Sequence, residues 1–377
     1  TESITVSIID EISDNDFDAV ADQTVSVAIT DNDVPGFTIV ELDGSTEVDE
    51  SGTTDTFTVV LDAQPTSDVV IALTSSDTGE ATVNSPLTFT AANWDTPQTV
   101  TVTGADDGSV VDGGQTSTIT ISIDDANSND SFDSVTDQSL TVTTTDDDVA
   151  GFTISETNGS TEVDESGTTD TFTVVLDAQP TSDVLLSLSI NDASEASVSS
   201  SLTFTPINWD SPQTVTVTGL DEETVDGTQT STITISVVDA VSNDSFDGVT
   251  DQSVTVTTTD DDVAGFTVVE LGGSTEVDES GTTDTFTVVL DAQPISDVVI
   301  VLTSSDTGEA TVNSPLTFTA ANWDTAQTVT VTGADDDLVD GTITSTITLT
   351  VDIPNTDDSF DAVADQTVSV DTTDDDV

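Results

Sequence analysis

Apolar and polar residues alternate with a period of two through most of this chain. Between residues 53 and 63, Phe57, Val59 and Leu61 fall on one face and Thr56 and Thr58 on the other, the pattern of a strand buried on one side. Thr99-Val100-Thr101-Val102-Thr103 alternates in the same way, as do residues 117–123 and 139–145. Further strands are expected at 36–42, 68–74, 81–84 and 86–90, with Gly, Asp, Asn, Ser and Pro filling the gaps. No stretch carries a helical period. About seven short strands per 114 or so residues predict an all-β chain of antiparallel β-sandwiches, each with one core between two sheets. A closed barrel is the alternative. Trp94, at the turn between two strands, is expected to anchor the core.

The pattern recurs. Phe37, Phe152 and Phe266 stand 115 and then 114 residues apart, and Trp94, Trp209 and Trp323 keep the same step. So do the Phe-Asp pairs at Phe17, Phe132, Phe246 and Phe360. This divides the chain into the C-terminal part of a preceding repeat at 1–35 and three seven-stranded sandwich repeats at 36–150, 151–264 and 265–377. Thr1 falls in the middle of a repeat, so the chain reads as a segment of something longer. Residues 36–104 and 265–333 differ at five of 69 positions. Copies so alike point to length or copy number as the product, because a catalytic site rarely needs duplication. Connections of two or three residues place neighbours end to end, a rod of roughly 35–45 Å per repeat from a strand rise near 3.3 Å.

Charge changes this picture. The chain has 75 Asp and Glu and no Lys, Arg or His, a formal charge of -75. Nucleic acid is excluded as a direct partner, since binding it needs cationic side chains against phosphate; anionic membranes are disfavoured for the same reason, and no apolar run approaches a membrane span. High charge with few aromatics also fits disorder, but abundant Val, Ile, Leu and Phe at period two argue against it. Without cations, self-repulsion is expected to loosen the fold. Cysteine is absent, so there is no disulfide or thiolate site. Thr and Ser take the outward strand positions, which leaves the acid to the loops and poles.

Acid is densest where one repeat meets the next. Asp146, Asp147 and Asp148 end one strand just before Gly151-Phe152, and the same join recurs at Asp31-Asn32-Asp33, at Asp260, Asp261 and Asp262, and at Asp374, Asp375 and Asp376. Adjacent carboxylates repel one another, and the chain has no cationic side chain to set between them. The joins therefore call for a metal ion. Other acids recur with the repeat: Glu41 at the end of the first strand, Asp77 after the third, and Asp106, Asp107 and Asp112 after Gly104. Glu47, Asp49 and Glu50 crowd the turn that follows the first strand. The second repeat carries Glu156, Asp192, Asp221, Glu222 and Asp226, and the third carries Glu270, Asp306, Asp335, Asp336 and Asp340. Ca²⁺ suits such all-oxygen sites, taking six to eight ligands in flexible geometry, whereas zinc and copper favour His or Cys. The plain alternative is a solvated acidic face of a protein from salty water.

The run Asp-Asp-Asp-Val-Ala-Gly-Phe-Thr-Ile, the later Val-Asp-Glu-Ser-Gly and the strand ending in Gly-Ala-Asp-Asp resemble the Calx-β family. Asn-Trp and Pro-Gln-Thr-Val-Thr-Val-Thr-Gly also resemble the Ig-like repeats of giant bacterial surface proteins. The resemblance covers all three repeats and the N-terminal remnant, and it implies a seven-stranded sandwich that binds Ca²⁺ at one pole. Its ligand set, carried over position by position, implies Glu41, Asp77, Asp106, Asp107 and Asp146 to Asp148. The family's acid-rich stretch after its Asp-Asp is here Gly-Ser-Val-Val-Asp-Gly, which leaves only Asp112; Glu222 and Asn32 are further departures.

Together these features predict a calcium-stabilised structural segment, a shaft or spacer, of a long extracellular surface adhesin or filament. Its partners would be calcium ions, neighbouring repeats and other copies in a filament. Rival readings are a glycan-binding adhesive module, which would need an exposed aromatic platform, and a self-assembling sheath or S-layer subunit. Paired carboxylates can serve a glycosidase, but nothing marks one repeat as active, and no His, Lys, Arg, Cys or Tyr is present to assist. No catalytic role is expected. Asn129, Asn158 and Asn243 sit in Asn-x-Ser sequons and are candidate glycan acceptors.

Overall fold

A computed structural model describes residues 2–376; Thr1 and Val377, at the outer limits of the first and last expected segments, lie outside the described residues. The chain forms two compact units, Thr1–Asp148 and Val149–Val377. Among the described residues every regular element is a strand or a short 3₁₀ turn.

The first unit holds one sandwich. Its four-stranded sheet runs Phe37–Glu41, Thr54–Leu61, Gln98–Gly104, Ala81–Val83 in spatial order. Its five-stranded sheet runs Thr46–Asp49, Gln138–Thr145, Gln115–Ile123, Val69–Ser75, Leu87–Phe89. The alternation seen in the sequence sets the core. Phe57, Val59, Leu61, Val100 and Val102 face Val69, Ile71, Leu73, Ile119, Ile121 and Val142, all buried. Phe89 and Phe132 are buried in the same core. Trp94 is only partly buried against that core, and its carbonyl accepts a hydrogen bond from Leu61 N–H at 3.2 Å.

The two sheets hold nine strand segments: the eight alternating stretches read from the sequence and Thr46–Asp49, which carries the first strand on into the other sheet. Phe37–Glu41 pairs antiparallel with Thr54–Leu61, and Thr46–Asp49 pairs parallel with Gln138–Thr145. Gly44, at a φ of +86°, lies in the turn between them, a backbone state that a Cβ disfavours. Gln138 fastens the crossing by donating its side-chain amide to the Phe37 carbonyl at 2.6 Å.

Ahead of the sandwich, Glu2–Val6 pairs antiparallel with Gln23–Val27. This hairpin has no core of its own: Ile4, Val6, Val25 and Phe17 are exposed, whereas Phe132, Phe246 and Phe360 are buried.

The second unit holds two sandwiches with the same strand order. They meet through the loop after Gln213–Gly219. Val225 N–H donates to the Gln293 carbonyl at 2.9 Å, and Gln293 N–H donates to the Glu223 carbonyl at 2.6 Å. The Ser359 hydroxyl donates to the Val225 carbonyl at 3.2 Å. The Val225 side chain is itself part of the third sandwich's core.

Asn129 and Asn243 are buried rather than displayed for glycans. Asn129 donates to the hydroxyls of Thr66 and Ser67 and accepts from Ser131 N–H, so a glycan there would displace a hydrogen-bonded core group. Asn158 is exposed, in a left-handed turn at φ 62°.

Candidate metal centre

At one pole of each sandwich a glutamate is buried without a hydrogen-bond partner. In the first sandwich it is Glu50, 1% exposed, with neither carboxylate oxygen bonded. The local fold explains its position. Glu50 N–H continues the parallel ladder by donating to the Thr145 carbonyl at 3.1 Å. Just before it, Asp49 spends its side chain on the turn, accepting from Ser51 N–H at 3.0 Å and from the Thr145 hydroxyl at 2.8 Å. Those bonds from Ser51 and Thr145 hold Asp49 below the usual carboxylate range. Gly104 then lets the turn approach: a Cβ there would lie 2.1 Å from the Asp49 carbonyl oxygen. Gly219 and Gly333 stand in the same relation to Asp164 and Asp278.

The Asp run supplies the other wall. Asp146 accepts from the backbone N–H groups of Asp112 and Gly113 at 3.0 and 2.8 Å, and through its other oxygen from Asp148 N–H at 2.8 Å. This clasp ties the loop after Gly104 to the end of the last strand. Oxygens of Glu50, Asp146 and Asp148 come within 4.8 Å of one another, and so do oxygens of Glu50, Glu80 and Asp112. Two acidic triads thus share Glu50.

The second sandwich repeats the arrangement, with Glu165 shared between Asp260 with Asp262 and Glu222 with Asp226. The third gathers Glu279, Glu309 and Asp340. Glu165 and Glu279 are as buried as Glu50 and equally unpartnered. Burial, reinforced by the charges of Asp107 and Asp146, pushes Glu50 up to about 8. Burial with Asp260 and Glu195 raises Glu165 to about 8, and burial with Asp374 and Glu309 raises Glu279 to about 7. The cause is one in each case: a carboxylate out of water among like charges favours its neutral form.

Of the residues singled out in the sequence, Asp112, Asp146, Asp148, Glu222, Asp226, Asp260, Asp262 and Asp340 are brought together in these triads. Asp107 lies close enough for its charge to act on Glu50. Glu41, Glu156 and Glu270 join no triad among the described residues; Glu156 instead accepts from the Thr161 hydroxyl at 3.0 Å. Asp77, Asp192 and Asp306 cap the turns before the buried Glu80, Glu195 and Glu309, accepting from Gly79, Ser194 and Gly308 N–H. Asp106 caps its own loop through Gly108 N–H. Asp147, Asp261 and Asp375 are exposed middle members of their runs, and Asp221 and Asp335 are exposed as well. Asp336 raises its neighbours Glu279 and Glu309. Asp374 repeats the clasp, accepting from Asp340 and Gly341, while burial and the Asp374 and Asp375 charges raise Asp376. Asp31 accepts from Asp33 N–H in the same local turn and joins no triad among the described residues.

Sequence pattern alone passes over the buried glutamates Glu80, Glu165, Glu195, Glu279 and Glu309, and gives Glu50 no ligand role. One signal is present. Val-Asp-Glu-Ser-Gly and the Glu-Ala before each short strand recur in register with the Asp runs. What hides these glutamates is their place, one residue beyond strands that periodicity does not split.

No protein-family model matches the chain, and no curated protein matches it. Among solved structures, it is similar to the I-band fragment I67-I69 from titin at 10% identity and a TM-score of 0.29, covering 91% of this chain and 97% of that one. CBD12 from CALX1.2 is similar at 13% identity and a TM-score of 0.23, over 52% of this chain and 79% of that one. Domains 4-9 of the surface layer protein SbsC are similar at 18% identity and 0.23, over 93% and 52%. These likenesses are weak, so function has to be sought in the chain's own carboxylates. No described helix is long and apolar enough to cross a membrane.

Proposed function

We propose that the chain is a non-catalytic, calcium-stabilised structural segment of a long extracellular surface protein, an adhesin shaft or filament spacer. The observation that carries this reading is the buried glutamate with two unpartnered oxygens, repeated at Glu50, Glu165 and Glu279. A buried carboxylate without a partner is costly, and this chain has no cationic side chain to supply one. The donor set fits Ca²⁺. All donors are oxygens, and shared glutamates suit an ion that accepts carboxylates in mono- or bidentate fashion. Glu50 with Glu80 and Asp112, and Glu50 with Asp146 and Asp148, would hold it in the first sandwich. Glu165 would serve both triads of the second, and Glu279, Glu309 and Asp340 would form the site in the third.

The ion supplies positive charge and nothing more. The chain's own residues do the mechanical work: Asp146 and Asp260 clasp the loop after the four-stranded sheet's third strand to the end of the last strand. In the second sandwich that same loop carries Val225 into the core of the third. An ion held by Glu222 and Asp226 would therefore order the stretch that joins two repeats. A fold that needs an ion in this way suits surroundings where Ca²⁺ is at millimolar level, as outside cells, where calcium modules bind with dissociation constants of about 10⁻⁴ to 10⁻³ M.

The test is a thermal melt of the chain in millimolar Ca²⁺, in EDTA, and in Mg²⁺. A Ca²⁺-specific rise in melting temperature is expected, because a ligand of the folded state stabilises it by mass action. Equal melts in Ca²⁺ and EDTA would overturn the reading.

A further inference from the structure

The dipeptide Asn-Gly occurs once in the chain, at Asn158-Gly159. It forms the turn between the strands Phe152–Glu156 and Thr161–Asp164. Asn158 has φ 62° and ψ 5°, and Gly159 follows at φ 85°. Among the described residues Asn158 is the only non-glycine in the left-handed region, which Asn tolerates better than most side chains do. The equivalent dipeptides of the other repeats are Asp43-Gly44 and Gly272-Gly273. There only the second residue is left-handed.

Other asparagines are tied down by the fold. Asn129 and Asn243 are buried and hydrogen-bonded. Asn93, Asn208 and Asn322 each accept a backbone N–H through the side-chain oxygen. Asn158 is exposed, and its side chain makes no hydrogen bond among the described residues. It lies between two strands and outside both of their ladders. A turn so placed opens locally at little cost.

We propose that Asn158 is a site of spontaneous deamidation in the folded protein. The Gly159 backbone nitrogen attacks Asn158 Cγ. A C–N bond forms, the Cγ–Nδ2 bond breaks, and Nδ2 leaves as ammonia with the proton that the Gly159 nitrogen gives up. Water then opens the five-membered imide. Attack at Cγ gives aspartate, and attack at the Asn158 backbone carbonyl carbon gives isoaspartate. One water enters and one ammonia leaves, with no oxidant or reductant. Glycine makes the step feasible, because no Cβ shields its nitrogen and its backbone turns freely enough to bring that nitrogen to Cγ. The aspartate product is the residue that the first repeat already carries as Asp43. Isoaspartate instead lengthens the main chain by one carbon, in the crossing that leads through Thr161–Asp164 to Glu165. The modification goes beyond calcium binding at the buried glutamates and does not require it.

Mass spectrometry of the whole chain, held folded for weeks in buffers of rising pH, tests this. A chain without Lys or Arg gives trypsin no site, so the position is read with a protease that cuts after glutamate and releases residues 157–162. The expected result is the mass gain of amide-to-acid conversion in that peptide before any other asparagine peptide, with isoaspartate detected by an isoaspartyl-specific methyltransferase. The nitrogen attacks as its anion, so the rate should rise about tenfold per pH unit. Asn158→Gly, the pairing found at Gly272-Gly273, should keep the parent's melt and lose the gain. Conversion in urea but not in the folded chain, another asparagine converting first, or an Asn158→Gly variant that gains mass like the parent would each overturn the proposal.

Discussion

Glu165→Gln should change stability in opposite directions with and without calcium. Glu165 is fully buried, has no hydrogen-bond partner, and is shared by two triads. In EDTA its carboxylate faces Asp260, Glu195, Glu222 and Asp226, whose charges add to burial in raising its pKa. The neutral amide removes that repulsion. It leaves buried polar atoms unsatisfied, at about 1–3 kcal/mol, but near pH 7 Glu165, raised to about 8, must take up a proton on folding, a cost the amide does not carry. The variant should therefore melt above the parent in EDTA. In calcium the order reverses. An ion at about a hundred times its dissociation constant stabilises by about 2.7 kcal/mol, or roughly 10 °C for a repeat of this size. Losing the shared carboxylate and about tenfold in affinity removes about 1.4 kcal/mol of this, roughly 5 °C. Trp209 reports on the second sandwich alone once Trp94 and Trp323 are replaced by Phe, so its fluorescence melt in Ca²⁺ and EDTA is the assay. An equal drop in both buffers would refute the argument, since it would make Glu165 an ordinary polar contact.

Two further outcomes are expected from the same geometry. Without calcium, stability should fall as pH rises from about 5 to 8. Glu50, Glu165 and Glu279 have folded values of about 8, 8 and 7, above the ordinary value of 4.5, so the folded state holds more protons across that window. Melts in EDTA at several pH values check this, and saturating Ca²⁺ should flatten or reverse the slope. Gly219→Ala should destabilise the second sandwich by about 1–3 kcal/mol in urea, because its Cβ would lie 2.1 Å from the Asp164 carbonyl oxygen. Gly248→Ala, with nothing near its Cβ, is the control.

Much of the fold is legible in the sequence because it depends on local alternation. Phe57, Val59 and Leu61 announce a buried face by their spacing alone, and each is buried. The Asp runs are legible as candidate ion sites because like charges in sequence are necessarily near in space. Glu41 and Glu50 show where that legibility ends. Both stand at strand ends in acidic surroundings, and the resemblance to known repeats favours Glu41. The crossing at Gly44 sends the chain to the other sheet, and the parallel ladder with Gln138–Thr145 carries Glu50, not Glu41, to the acidic pole.

The sequence by itself determined the repeat, the two faces of each strand, and an excess of negative charge that no side chain can offset. Those are properties of neighbours along the chain. Only the tertiary structure decided which carboxylates lose their water together. Glu50, Glu80 and Asp112 are separated by 30 residues or more and meet because three loops close at one end of a sandwich. It also decided that Val225, a loop residue of one repeat, is a core residue of the next. Burial is a property of what packs against a group, and that is set by distant segments arriving at the same place.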